Sequence, residues 1–253
     1  MNKVKAFAKK YWVTFLIFAG LAGLYYYSTE FGNANPFLFP KVGSIAKVFA
    51  SDAGLMGTNL VASIKIMIPS VLISLGIALA LGTFLGLNKK AREALHPVIY
   101  TFSVVPAILL SPFVLLMAPD MFTASIILIV YSTVWATLFA TITGIQTIDK
   151  SYLDKAATLE LTGFEKFFKV ILPAASPSIL SGFVNSLRNT FIMLVYAEMY
   201  GAQYGMGFYV KKFSDFGMYN KVWFGFLFMV IVMVIVMQLF EKLKDRLLKW
   251  TIN

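Results

Sequence analysis

The sequence predicts an all-α, polytopic membrane helix bundle: one domain, residues 1–253, crossing the bilayer about six times. Three observations lead there. Hydrophobic residues make up 59% of the chain and charged residues 13%, with a mean hydropathy of +0.77. Soluble domains hold roughly 45–50% and 25%, so this chain has too few polar side chains to cover a water-facing surface. A spanning helix takes about 20 apolar residues, and six runs qualify: 11–28, 59–87, 97–118, 121–145, 174–200 and 222–240. The net charge of +10 falls mostly between those runs. That placement reads as an orientation signal and argues against nucleic acid as a partner.

The first run follows a basic start (Lys3, Lys5, Lys9, Lys10) and ends in Tyr25, Tyr26 and Tyr27. A secretory leader would end in small residues; three tyrosines read as an interfacial belt on a retained helix. With the N-terminus in the cytoplasm, the inner segments 1–10, 88–96, 146–172 and 241–253 hold 15 of the 22 Lys and Arg. That bias puts both termini inside. Segment 29–58 is then outside. Gly32, Asn33, Asn35, Pro36 and Pro40 give it turn chemistry, and an amphipathic stretch around residues 44–49 is expected to lie along the membrane surface.

Helix breakers and small residues sit inside several runs: Pro69, Gly76, Gly82 and Gly86 in the second, Pro106 and Pro112 in the third, Pro177 in the fifth. They fit a tightly packed bundle and equally fit bent helices around a pathway. Tyr131, Ser132, Thr133, Trp135 and Thr137 put polar groups inside the fourth run, either joining helices or lining a path. Arg188 is deep in the fifth run, where a cation costs at least a few kcal/mol unless paired or facing water. It reads as a pathway contact or as a structural pair; Glu198, ten residues on, lies about 15 Å along the helix, too far to pair with it directly. Glu198, near the outer end of that run, is a gate candidate, as are Tyr131 and Trp135 for the pathway. Lys65 can snorkel to the outer interface and is assigned no transport role.

The chain has no cysteine and one histidine, His96. Disulfides, thiolate metal sites and a cysteine nucleophile are excluded. His96 and Glu198 fall on opposite faces, which leaves acid–base catalysis without a constellation. No carboxylate sits at the middle of any run. That disfavours the alternative of a stand-alone secondary transporter or channel, which would need one for ion coupling.

Residues 146–173 are the most informative inner segment. Ser151 with Asp154, and Thr162 with Glu165, have the spacing of capping boxes. They predict two short helices, 152–161 and 163–171, with a turn at Thr162 and Gly163 and with Pro173 opening the next span. Leu153, Ala157, Leu161, Phe164, Phe168 and Leu172 recur at spacings of three and four, with Asp154, Thr158, Glu165, Lys166 and Lys169 between them. From the pattern alone this pair is either a surface helix against the headgroups or a docking element for a soluble partner.

This segment resembles the EAA loop of the permease subunits of binding-protein-dependent ABC importers. Counting back from Leu172 and Pro173 puts Asp154 on that loop's Glu and Lys155 and Ala156 on its alanines, with Ala156 and Ala157 keeping the pair one residue later. The loop glycine falls on Glu160, so the turn is expected to be rebuilt around Gly163. The resemblance runs over about 36–250. It takes in Ser63, Ile64, Lys65, Gly82 and Gly86; Val105, Pro106, Ala107, Ser111 and Pro112; residues 144–149; and Arg188, Ala197, Glu198, Gly205 and Gly207. The subgroup is the one handling nitrate, taurine, alkyl sulfonates and thiamine precursors.

The resemblance implies a type I importer permease in a bacterial cell membrane. Two permease copies would form the pathway, an ATPase dimer would sit beneath, and an extracytoplasmic solute-binding protein would deliver cargo. ATPase docking would fall to Asp154, Ala156, Ala157, Leu161, Gly163, Phe164, Glu165, Phe168 and Lys169, within coupling helices at 151–172. The sequence has no G-x-x-x-x-G-K-[ST] motif. ATP and magnesium are therefore expected on the partner, with no cofactor on this chain.

Overall fold

The computed structural model describes residues 3–249, with side chains from Tyr11 onward. The chain ends, 1–2 and 250–253, for which the sequence reading expects a cytoplasmic position, lie outside the described residues. Among the described residues there is no strand. The helices are α1 (Lys3–Glu30), α2 (Val42–Leu87), α3 (Lys89–Val104), α4 (Ala107–Met117), α5 (Met121–Gln146), α6 (Lys150–Thr158), α7 (Gly163–Lys166), a π turn (Phe167–Ile171), α8 (Leu172–Gly201), α9 (Met206–Asp215) and α10 (Tyr219–Leu247). The expected all-α membrane bundle is what forms. Among the described residues four helical rods are long and apolar enough to cross a membrane, and α3 with α4, bent by 88°, passes the same test only when the two are taken together. α1 adds a 28-residue peripheral helix. It is held at its outer end, where Tyr25 donates to the Pro40 carbonyl at 2.8 Å and packs against Trp223 at 5.0 Å.

The bundle is built around α5, which lies between α2 and α8. Lipid offers no hydrophobic drive for helices to associate, so close backbone approach and interhelical hydrogen bonds do that work. Glycines open the approach. A Cβ on Gly182 of α8 would run into Ala140 and sit 2.8 Å from the Ala136 carbonyl; one on Gly82 of α2 would sit 2.7 Å from the Thr141 Cβ. Hydroxyls then cross the gap: Thr133 bonds Thr190 at 2.9 Å, and Thr137 bonds Ser186 at 2.8 Å. All four are buried. Of the two uses open to the polar residues of the fourth run, these threonines serve helix joining.

Two expectations are corrected here. Residues 44–49 do not form a separate surface segment. They are the first turns of α2, a single helix of 46 residues, about 70 Å long at 1.5 Å per residue. Nothing between Val42 and Leu87 breaks it except Pro69, which the helix absorbs, and Ile45 and Val48 are buried against Tyr209 and Phe213 rather than facing headgroups. The third run, expected as one helix over 97–118, is broken at Val105 and Pro106. Proline disfavours the α conformation in the residue before it, and here Val105 is extended at φ −71° and ψ 119°. Tyr131 of α5 donates to the Phe102 carbonyl beside the break.

Candidate functional site

The inner segment begins with an N-cap. Asp149, not Ser151, caps α6: its carboxylate accepts from the Ser151 amide at 2.7 Å. That bond holds the Asp149 carboxyl below the usual carboxylate range. The capping-box spacing at Ser151 and Asp154 therefore misplaced the start by two residues, because Asp149 offers the same acceptor one Asx turn earlier. α6 ends at Thr158 and the chain reverses through Glu160, which adopts φ +55°. It is the one non-glycine residue with positive φ among the described residues. This is the position where the resemblance expects a glycine. The left-handed turn stays there, carried by a glutamate, and Gly163 at φ +53° supplies a second one. The expected move of the turn to Thr162 and Gly163 is thus corrected to a turn shared by both positions.

The second capping box does not form. Thr162 makes no side-chain cap, and Glu165 pairs with Lys169 one turn on. α7 does not stop at Pro173 either. It passes through the π turn into α8, so Gly163–Gly201 is one rod of 39 residues. The cause is Pro173, near the start of α8. It has no N–H to give and its ring crowds the carbonyl four residues back; widening the turn, so that the Leu172 amide reaches Phe167 O, relieves both.

The π turn also shifts the phase of the apolar stripe. Phe167 and Ile171 turn inward onto Ile145, Ala175 and Ile179. Phe164 and Phe168 turn outward, 84% and 60% exposed, with Leu159 at 69%. Of the residues proposed for docking, Ala156 alone is buried, at 1% exposure; it lines a 250 Å³ cleft between α6 and the rod, opposite Val170 and Pro173. Leu161 is half-buried; Asp154, Ala157, Gly163, Phe164, Glu165, Phe168 and Lys169 are exposed. The result is a two-helix knuckle anchored on one side and offering aromatic rings on the other.

Above it, α8 carries a polar face. Ser181, Asn185, Arg188 and Asn189 are all exposed, while Gly182, Ser186, Leu187 and Thr190 are buried. Spacings of four, three and one put the exposed four on one side of the helix. Arg188 has no ion pair among the described residues. Tyr131 and Trp135 meet edge to face at 5.5 Å beside an apolar cavity shared with Ile73 and Phe102; the buried Trp135 indole N–H has no partner.

At the outer end, Glu198 is fully buried under the start of α9. Three successive backbone N–H groups there are each taken by another helix. Gly205 donates to Asn59 at 2.9 Å, Met206 to Ser63 at 3.0 Å and Gly207 to the Glu198 carboxylate at 2.7 Å. These are N–H groups that a helix start leaves without internal partners, and an anion there also meets the positive end of the helix dipole. Gly205 is at φ +132°, and any Cβ on it would strike the Glu198 side chain. The adjoining cluster was missed in the sequence. Asp52 accepts from Tyr209 at 2.7 Å and pairs with Lys221 at 2.9 Å. Burial and the Asp52 charge push the Tyr209 hydroxyl far above its ordinary range, so it stays a donor at any working pH.

Residues 72–250 match the family profile described as binding-protein-dependent transport system inner membrane component. The chain belongs to that family. As such a component it is a multi-pass membrane transport protein. Among its curated relatives is a Bacillus subtilis protein named for aliphatic sulfonate transport (SsuC), 30% identical over 71% of this chain and 65% of its own length. Another is the nitrate import permease protein NrtB of Leptolyngbya laminosa, 28% identical over 68% of this chain and 61% of its own length. The matched region thus spans less than two thirds of each. The fold is that of a chain in the inward-facing MetNI methionine ABC transporter, at a TM-score of 0.64 and 16% identity, covering 80% of this chain and 99% of that one.

Proposed function

We propose that the chain is the membrane subunit of an ABC importer in a bacterial cell membrane, with both termini cytoplasmic. It works as two copies around a shared pathway above a separate ATPase dimer that holds the ATP and magnesium, and an extracytoplasmic binding protein supplies the solute. The observation that carries this reading is the knuckle of α6 and α7. Phe164 and Phe168 leave most of their surface outside the chain, yet sit on a helix rooted in the bundle. Exposed aromatics on a rigid support are what a partner groove takes as anchors. The docking residues are then Leu159, Phe164 and Phe168, with Asp154, Glu165 and Lys169 at the rim and Ala156 setting the spacing of the two short helices.

The exposed face of α8 lines the pathway. A cation at mid-membrane faces water or a partner, and within one copy Arg188 has neither carboxylate nor burial. Apposed copies would place two arginines in one passage, which suits an anionic solute such as the sulfonate or nitrate named for the relatives. Co-purification of the tagged chain with its ATPase tests the assembly: Phe164→Ala with Phe168→Ala releases the ATPase, and retention of the ATPase by that variant sinks the docking reading. Solute uptake tests the pathway. Arg188→Ala abolishes uptake and Arg188→Lys keeps part of it; full uptake by Arg188→Ala removes the anion assignment.

A further inference from the structure

A cavity of 790 Å³ opens between α2, the start of α5 and the turn at 201–204. Its size is that of a small-molecule site, mostly apolar with a few polar groups fixing orientation. Val61 and Ile66 of α2 and Met121 and Phe122 of α5 form the apolar walls; Lys65 and Gln203 line it too, with the hydroxyls of Thr58, Ser125 and Tyr204. Lys65 is the only charged residue among those lining it, and among the described residues it makes no hydrogen bond or ion pair. The nearby carboxylates are both engaged elsewhere. Asp120 caps α5 through Thr123 at 2.8 Å, and Glu198 is buried beneath α9. A lone cation beside an apolar wall accepts a ligand with one negative head and a hydrocarbon tail.

We propose that this cavity is a binding site for a small organic monoanion bearing a short aliphatic chain, with Lys65 taking the head and Val61, Ile66, Met121 and Phe122 taking the tail. The proposal rests on the anion-pathway reading and narrows it, because a bare inorganic anion leaves the walls unused. Each methylene moved from water onto such a wall tightens binding about three- to four-fold. The site lies beside the turn between Glu198 and Gly205, so its occupant touches the segment that the α9 cap holds in place.

The test is equilibrium binding of n-alkanesulfonates of two, four and six carbons, sodium nitrate and hexanol to the full-length chain in phosphatidylcholine nanodiscs, against empty nanodiscs. The expected result is saturable binding that tightens with each added carbon, with nitrate and hexanol at least ten-fold weaker than the six-carbon sulfonate. Lys65→Met lowers affinity at least ten-fold, Lys65→Arg restores it, and Val61→Glu, which sets a repelling charge on an exposed wall position, abolishes it at unchanged melting temperature. Nitrate binding as tight as the sulfonate, a Lys65→Met affinity within two-fold of the parent, or signal equal in empty nanodiscs, as acyl-chain partitioning would give, overturns the proposal. Any of these outcomes alongside intact ATPase co-purification removes this site and leaves the importer reading standing.

Discussion

At the outer end of the molecule three consecutive N–H groups of α9 are capped by side chains from α2 and α8, and Asp52, Tyr209 and Lys221 join three helices. At the inner end, Phe164 and Phe168 reach out of the chain with little of it around them. Both ends are helix termini full of polar groups and aromatics, yet one is closed and the other open. The difference separates an end whose polar groups bond to one another within the chain from an end whose aromatic rings are left exposed. An unpaired polar group is costly inside such a network; Asn59, Ser63 and Asp52 are paired there, and Glu198 keeps one buried oxygen, Oε1, without a hydrogen-bond partner among the described residues. Exposed aromatics cost little in a chain whose apolar surface is already large, and on the proposed reading they serve association.

The comparison breaks most sharply at Gly205. Gly205→Val forces a branched side chain into positive φ and against Glu198; strain and overpacking together should cost about 3 kcal/mol or more. A melting curve in detergent that matches the parent would show the outer end is looser than described. Next in size is the inner end. Phe164→Ala with Phe168→Ala should weaken ATPase association by about 2–3 kcal/mol, the range of paired hot-spot aromatics, with no loss of thermal stability. A melting temperature that drops with affinity would mean these rings serve the fold. Tyr209→Phe removes one buried hydrogen bond while leaving Asp52 its lysine, and should cost about 1 kcal/mol by the same melt. The smallest effect is expected at Glu160. Glu160→Gly relieves about 1–2 kcal/mol of left-handed backbone strain and returns about 0.5–1 kcal/mol through the freer unfolded chain. Amide exchange across 150–162 should slow slightly; faster exchange would place the strain elsewhere.

Much of this was legible because it is local. Apolar runs gave the membrane class, and the spacing of apolar residues before Pro173 gave the short helices that precede α8. The sequence also marked Pro106 as a breaker, though not that Val105 would turn the helix by 88°. What escaped was non-local or a matter of phase. Asp52 and Tyr209 are 157 residues apart, and no periodicity links them. Asp149 and Ser151 are both good caps two residues apart, and only the folded chain chooses. The apolar stripe through Phe164 and Phe168 was read at α-helical spacing; one π turn, induced by Pro173, rotates it outward. Glu160 was expected to lose the turn because it is not glycine, yet the surrounding helices hold it at positive φ.

Because α7, the π turn and α8 are continuous, the exposed ring of Phe164 and the buried carboxylate of Glu198 belong to the same shaft. Its length, about 58 Å for 39 residues, exceeds the thickness of the hydrocarbon it crosses. A rotation imposed at the Phe164 end would therefore be carried to the Glu198 end through one continuous helix, with the π turn between them. The polar face bearing Arg188 lies between the two ends, so any turn of the shaft swings that face through an arc.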